Sequence, residues 1–508
     1  MRTAPFLPAA LASLSILAHA ATAPTNVTIP TGYSMTAVAT GLNFPTALTF
    51  VGDTIWVAEG GIGGPPAVKT VDSRGNVQTM LTPSMLADGV LVSPLTGITY
   101  AQGLVWIVHT QIATGGVPVG AISRFDPNNP VSTFQTVISG LPSFGDHPAP
   151  SVALGADGRI YLATGLPTNA GVVGPDNDWA ITFPALHDFP PMDVQLSGIG
   201  YQTPTRFPPL DPTASKITEP YMPFGTGRVP PGTIAPGVGP LNPGNGIIVA
   251  GGGSVYSFDP NAANPVITLR LEAWGFRNDY GIGFDPFNPG VLFVSNNGAD
   301  TRSTMINGKL VINTGRPIEN DFDDLFLVHV GAIAQGQAAP FFGWPDFFHD
   351  PMSGQPLLVT DPMFCPSGGP CPQLAFLDSF RNSLTVQPAF SEIEFHSSAN
   401  MFDFSPDATF GFKGDIFIAE TGSLPPGTGA TTLTGYKVAR INRSTGAVTD
   451  FITHTANDQT TIFDPKGFNK PIDVKFHGSN MFIADFGVFP PARFTPGSGK
   501  IWMVSPSQ

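Results

Sequence analysis

Apolar positions in this chain fall in short alternating runs, each broken by a turn signal, and one composite pattern recurs along its length. The segment FPTALTFVGDTIWVAEGG (44–61) shows the form: a Pro-containing head, an apolar run, a Gly-Asp turn, and a second apolar run ending in polar residues. Alternation with period two, bounded by Gly, Pro, Asn and Asp, is the signature of a β-hairpin. The same shape returns at 93–111, 147–165, 277–298, 396–422 and 469–487. Third runs follow at 67–75, 121–129, 254–262, 323–331, 436–446 and 500–507, and fourth runs at 134–142, 267–276 and 448–455. Sustained helical periodicity is hard to find after residue 24.

Six such units in tandem predict an all-β fold, a six-bladed β-propeller. The last unit runs out of chain after its third strand. YSMTAVATG (33–41) has the character of a fourth strand, which predicts closure of the ring by pairing of the N- and C-terminal strands. Closure of this kind removes exposed sheet edges. A stacked solenoid or two β-sandwiches are the competing arrangements. Residues 24–508 then form one propeller with long loop insertions: a Pro/Gly-rich stretch at 166–250, a shorter one at 299–322, and 333–395 with a Cys loop. Loops of this length read as functional lids or as partly disordered.

Composition narrows the picture. Charged residues make up 12% of the 508, Gly (58) and Pro (54) are frequent, and hydrophobic content is 42% with 39 Phe, so the chain is turn-rich but not disordered. A net charge of −14 argues against a nucleic-acid partner, which calls for a basic face. Residues 1–23, with one Arg, an apolar centre at Leu11–Leu17 and small residues at Ala18, Ala20, Ala21 and Ala23, read as a secretory signal peptide, hence a secreted or periplasmic protein. No run is long enough to predict a membrane span. In an oxidising compartment Cys365 and Cys371 pair as a disulfide across a short loop. Asn26 and Asn442 fit the N-glycosylation acceptor pattern.

In a propeller, the head of each first strand and the end of each second strand lie at one mouth of the central channel. The heads offer Asn43, Ser93, His147, Arg277–Asp279, His396 and Asn469–Lys470. The strand ends offer Glu59, His109, Thr164, Asn296–Asn297, Glu420 and Asp485. The insertion of unit three emerges there too and should overhang the mouth, where a preformed concave site is expected. Carboxylates and amides such as Glu59, Asn296 and Asp485 could hold a divalent ion at the channel; alternatively they cap turns.

Four stretches carry a resemblance. HPAPSVALGADGRIYLATG, GFRNDYGIGFDP followed by LFVSNNG, FDDLFLVHVGA with FFGWPDF, and HSSANMFDF with FKGDIFIAETGS and GYKVARI are similar, in this order along the chain, to the soluble quinoprotein glucose/sorbosone dehydrogenase family. The resemblance covers most of 40–508 outside the Pro-rich insertion. It implies pyrroloquinoline quinone (PQQ) at the channel mouth with Ca²⁺ beside it, and a carbohydrate or aldehyde substrate oxidised at C1 by hydride transfer, with an electron acceptor left unidentified.

By motif position His147 falls on the catalytic base, Arg277 on the quinone-facing arginine and Asn278 on the adjacent cofactor contact. A base with pKa near neutrality and a guanidinium beside developing negative charge are what this chemistry asks for. Lys470, with Lys437 and Arg302, is the candidate grip on the PQQ carboxylates, and Trp344 and Asp346 lie near the mouth by motif. Ser151, Asp279 and Leu424 depart from the pattern. Each residue also has a plain reading: His147 and His396 as turn residues, Arg277 as a tie to Asp279 or Glu272, Trp344 as packing, His349 as loop. A Ca²⁺-dependent lactonase or hydrolase and a non-catalytic binding propeller are the rival functions.

Overall fold

Period-two alternation becomes, in three dimensions, a ring of blades that share their side chains with both neighbours. In the second strand of blade 1, Thr54–Glu59, Ile55 and Val57 pack toward blade 6, while Trp56 and Ala58 pack toward blade 2. In blade 4, Leu292 and Val294 face blade 3, and Val291 and Phe293 face blade 5. Successive strand side chains point to opposite faces, so a strand buried on both sides must be apolar throughout. Burial of each large apolar side chain contributes about 1.5–3 kcal/mol, and every blade-to-blade interface carries its own such cluster.

The computed structural model describes residues 23–507, except 174–176, 178–181, 184–185, 205–214, 219–228, 307–308, 313–314, 332–334, 368, 407, 426–427, 429–431 and 490–492. The predicted signal peptide therefore lies almost wholly outside the described residues. Blade 1 comprises Pro45–Val51, Thr54–Glu59, Ala67–Val71 and Val77–Leu81. Blades 2 and 3 begin at Val92–Ala101 and Val152–Leu154, and blade 4 runs Asp279–Asp285, Asn288–Asn296, Phe322–His329 and Ser391–Phe395. Blade 5, from Ala399–Phe404 to Val448–His454, gains an outer fifth strand, Val27–Thr28. Blade 6 is completed by the N-terminal strand Tyr33–Leu42, which pairs antiparallel with Gly499–Pro506 from Tyr33↔Pro506 to Leu42↔Gly499. The ring closes as expected from the pattern.

Glycine matters most where inner strands crowd. A Cβ on Gly281 would lie 2.6 Å from Asn400 O and 2.8 Å from Ser295 Oγ, so blades 4 and 5 could not meet as they do with a larger residue there. Helix is confined to short turns such as Asp378–Arg381 and Gln459–Ile462. Among the described residues no helix is long and apolar enough to cross a membrane.

The insertions are not independent loops. Val194, Leu196 and Ala235 from the first, Ala299 and Ile318 from the second, and Phe341, Trp344, Phe348, Phe364 and Phe376 from the third form one shared apolar core. Poor periodicity hid this core from the sequence because its members come from three separate stretches. Cys365 and Cys371 form the expected disulfide in the third insertion, toward its surface. Asn26, by contrast, is buried, donating to Thr461 O and Phe468 O and accepting from Phe468 N, so the acceptor pattern there marks a structural amide.

Candidate active site

The head of blade 3 and the head of blade 4 are tied by one backbone unit. Leu166, the second residue after the strand Ile160–Thr164, donates its N–H to Arg277 O at 3.1 Å and accepts at its carbonyl from His147 Nδ1 at 2.7 Å. Gly165 makes this possible, since a Cβ there would stand 2.5 Å from His147 Cβ and 2.7 Å from its carbonyl oxygen. The bond to a carbonyl fixes the proton on Nδ1 and leaves Nε2 as the acceptor nitrogen. Burial, followed by the charges of Arg277 and Arg302, holds the His147 pKa well below that of a free imidazole, so the ring is neutral at pH 7.

Arg277 is buried and held on several sides. Its Nε donates to Asn169 O at 2.8 Å, Nη1 to Asn297 O at 3.2 Å, and Nη2 to Asn169 Oδ1, with Asp300 Oδ2 3.4 Å away. The expected partners Asp279 and Glu272 are not those observed. Asn169 also fixes Asp300, accepting its N–H at Oδ1 (3.1 Å) and donating to its carbonyl (2.7 Å). The Pro-rich insertion thus does reach the site, through Leu166 and Asn169. Asn278 donates to Asn297 Oδ1 at 2.8 Å, while its own Oδ1 is buried with no hydrogen-bond partner.

His147, Arg277, Asn278 and Asn297 line a cavity of about 210 Å³ together with Asp146, Asp300, Arg302, Asp323, His396 and Leu424. Asp300 is its electrostatic centre: His396 Nδ1 lies 2.8 Å from Oδ1, and Arg302 Nε lies 3.4 Å from Oδ2. Burial opposes the charge, but the hydrogen bond from His396 and the two guanidinium groups win, bringing Asp300 down to about 2. Reciprocally, burial acts to lower His396, and the bond and charge of Asp300 overcome it and raise its pKa. Asp323 sits in the same cavity with its pKa pushed up to about 6 by burial, despite bonds from Ala399 N, Gly298 N and Ser397 Oγ.

The remaining sequence candidates are elsewhere. Glu59 Oε1 accepts from Asn43 N at 2.7 Å and from Lys69 Nζ at 2.8 Å. Asp485 accepts from Lys470 N, Gly487 N, Asn469 N and Trp502 Nε1. Asn296 Oδ1 accepts from Arg277 N and Asn278 N at 2.9 and 3.0 Å. None of the three lines the cavity; each closes its own hairpin head. Lys470 is buried beneath Tyr436, with Nζ 4.5 Å from the ring centroid, and Trp344 belongs to the insertion core. Neither borders the cavity.

Of the departures, Ser151 donates to Tyr280 O at 2.9 Å as a tie between blades, and Leu424 is a 38% exposed apolar residue on the cavity rim. Asp146, Asp300, Asp323 and Asn169 escaped the sequence reading as site residues. They sit in loops or insertions, where no periodicity ranks one polar residue above another.

The fold is a six-bladed β-propeller with a polar cavity at the heads of blades 3, 4 and 5. No protein-family model and no curated protein matches the sequence. Among solved structures the chain is similar to the holo PQQ domain of pyranose dehydrogenase from Coprinopsis cinerea, at 14% identity over 96% of this chain and 99% of that one, with a TM-score of 0.56. It is also similar to a Trichoderma reesei carbohydrate-active enzyme of family AA12, at 15% identity, 96% and 99% coverage and a TM-score of 0.55. At such identities the likeness is one of fold.

Proposed function

We propose that the protein is a secreted oxidoreductase that binds PQQ, with Ca²⁺, at this cavity and oxidises a sugar or sugar aldehyde at C1. The observation that carries the reading is the convergence on one cavity of a neutral His147, the buried guanidinium of Arg277 and the unpartnered Oδ1 of Asn278. These residues fit the quinone end of PQQ: a cation for its oxygens, an amide beside it, and a base facing the substrate. When bound, PQQ supplies a two-electron hydride acceptor. His147 Nε2 would receive the hydroxyl proton, and the bond from Nδ1 to Leu166 O keeps the ring aimed while it becomes positively charged. Arg277, held by Asn169 and Asn297, needs no reorganisation to stabilise negative charge. Arg302 offers a second cation, and Asp146, Asp300 and Asp323 supply hard oxygen atoms at the same cavity for Ca²⁺ or for substrate hydroxyls.

The test is reconstitution of the protein with PQQ and Ca²⁺, followed by absorption titration and dye-linked turnover over a panel of aldoses and sugar aldehydes. Saturable PQQ binding with substrate-dependent dye reduction is expected. Absence of any spectral change, or lactone hydrolysis that needs a divalent ion and no PQQ, overturns the reading in favour of a hydrolase.

A further inference from the structure

Away from the cavity, and among the described residues, one group of side chains brings three potential metal-ligand atoms together. Asp324, on the third strand of blade 4, stands across from Glu392 on the fourth strand. His349, at the end of the insertion strand Phe347–His349, closes over them. One ligand atom from each residue lies within 4.8 Å of the others. The sequence assigned His349 to a loop without a partner; it is in fact buried against blade 4.

The donor chemistry is set by the surroundings. His349 Nε2 lies 3.0 Å from Gln387 O, which places the proton on Nε2 and leaves the Nδ1 lone pair 3.7 Å from Asp324 Oδ2, beyond hydrogen-bond reach. Both carboxylate oxygens of Glu392 are buried with no hydrogen-bond partner. Asp324 Oδ2 receives one long contact, 3.5 Å from Asn296 Nδ2. Three acceptors facing one another at low dielectric repel unless a proton or a cation stands between them.

We propose that Asp324, His349 and Glu392 bind a divalent transition-metal ion of the Zn²⁺ class. One imidazole with two carboxylates neutralises a dication, and the nitrogen donor favours Zn²⁺ over Ca²⁺ or Mg²⁺. Ligands at ~2.0–2.1 Å on a tetrahedral ion stand roughly 3.4 Å apart, close to the observed Nδ1–Oδ2 separation. The Gln387 carbonyl on the far ring nitrogen is the kind of outer partner that orients a ligating histidine. The ion would pin the third insertion to two strands of blade 4. Alternation along the strand directs Asp323 toward the candidate active site and Asp324 away from it, and none of the three ligands lines that cavity.

The full chain, stripped with chelator and free of PQQ, is titrated with Zn²⁺ against a chromophoric chelator while Tm is followed. One equivalent should bind and raise Tm, with affinity falling at least tenfold in Glu392→Gln and in His349→Gln but unchanged in His147→Gln. Absence of a stoichiometric equivalent in the wild-type protein overturns the proposal even if a variant fails to fold. Equal affinity in all three variants overturns it as well. A Glu392→Gln protein at least as stable as wild type, with no Zn²⁺ bound by either, assigns a shared proton to the site instead. The outcome is independent of whether PQQ binds.

Discussion

Blade 6 and blade 4 begin with the same device and use it differently. In both, the side chain ending the second strand accepts the backbone N–H groups of the hairpin head: Asp485 for Asn469 and Lys470, Asn296 for Arg277 and Asn278. In blade 6 the head then turns its cation inward, where Lys470 is buried on Tyr436. In blade 4 the head presents Arg277 and Asn278 to a cavity, because Leu166, Asn169 and Asp300 arrive from insertions to receive them. The polar strand end is thus a closure element of the blade; at blade 4 the insertions supply partners that hold the head's polar side chains at a cavity.

That contrast can be broken by substitution. The largest effect is expected at Arg277→Lys, which cannot reproduce the fork of bonds to Asn169 and Asn297; turnover of the reconstituted protein should fall on the order of 10²–10³-fold. Steady-state dye reduction measures it, and a loss under threefold would remove Arg277 from the chemistry. On the blade 6 side, Asp485→Ala strands the buried donors that Asp485 now receives and should cost roughly 3–4 kcal/mol in urea unfolding, with PQQ affinity unaltered per folded molecule.

The Asp300–His396 pair gives a smaller, pH-dependent effect. His396 has a raised folded-state pKa, so its contribution is full below the unfolded value near 6.5 and is lost as pH rises through the folded pKa. Asp300 is depressed, so its contribution holds above the unfolded value near 3.8 and is lost as pH falls through about 2. His396→Gln should therefore lower Tm most between about pH 4 and 6.5 and progressively less at higher pH; a pH-independent difference would contradict the pairing. The smallest effect is expected at Lys470→Met. Lys470 is buried on Tyr436 and does not border the cavity, so removing it should change PQQ affinity less than about threefold. A tenfold loss of affinity would bring Lys470 back to the cofactor.

Much of the fold was legible because period-two alternation is a local signal repeated in every blade, and even the ring closure was visible in the alternation of residues 33–41. The site was legible only in part. His147, Arg277 and Asn278, which the structure brings to one cavity, stood out because they head strands of recognisable pattern. Asp300 and Asn169 could not, because their roles depend on insertions brought together by a core whose members are far apart in sequence. Glu59 and Asp485 cap hairpin heads outside the cavity, the alternative the sequence left open: a carboxylate beside a channel mouth and a carboxylate capping a hairpin have the same sequence context. Only their donors tell them apart.

The most direct measurement compares dye-linked turnover of two reconstituted variants, His147→Gln and Asp485→Asn, against wild type under saturating PQQ and Ca²⁺. If catalysis belongs to the cavity of blades 3 to 5, His147→Gln should lose about 10²–10⁴-fold in turnover while still binding PQQ, and Asp485→Asn should remain within about threefold. Normal turnover in His147→Gln, or its abolition in a folded Asp485→Asn, would contradict that assignment.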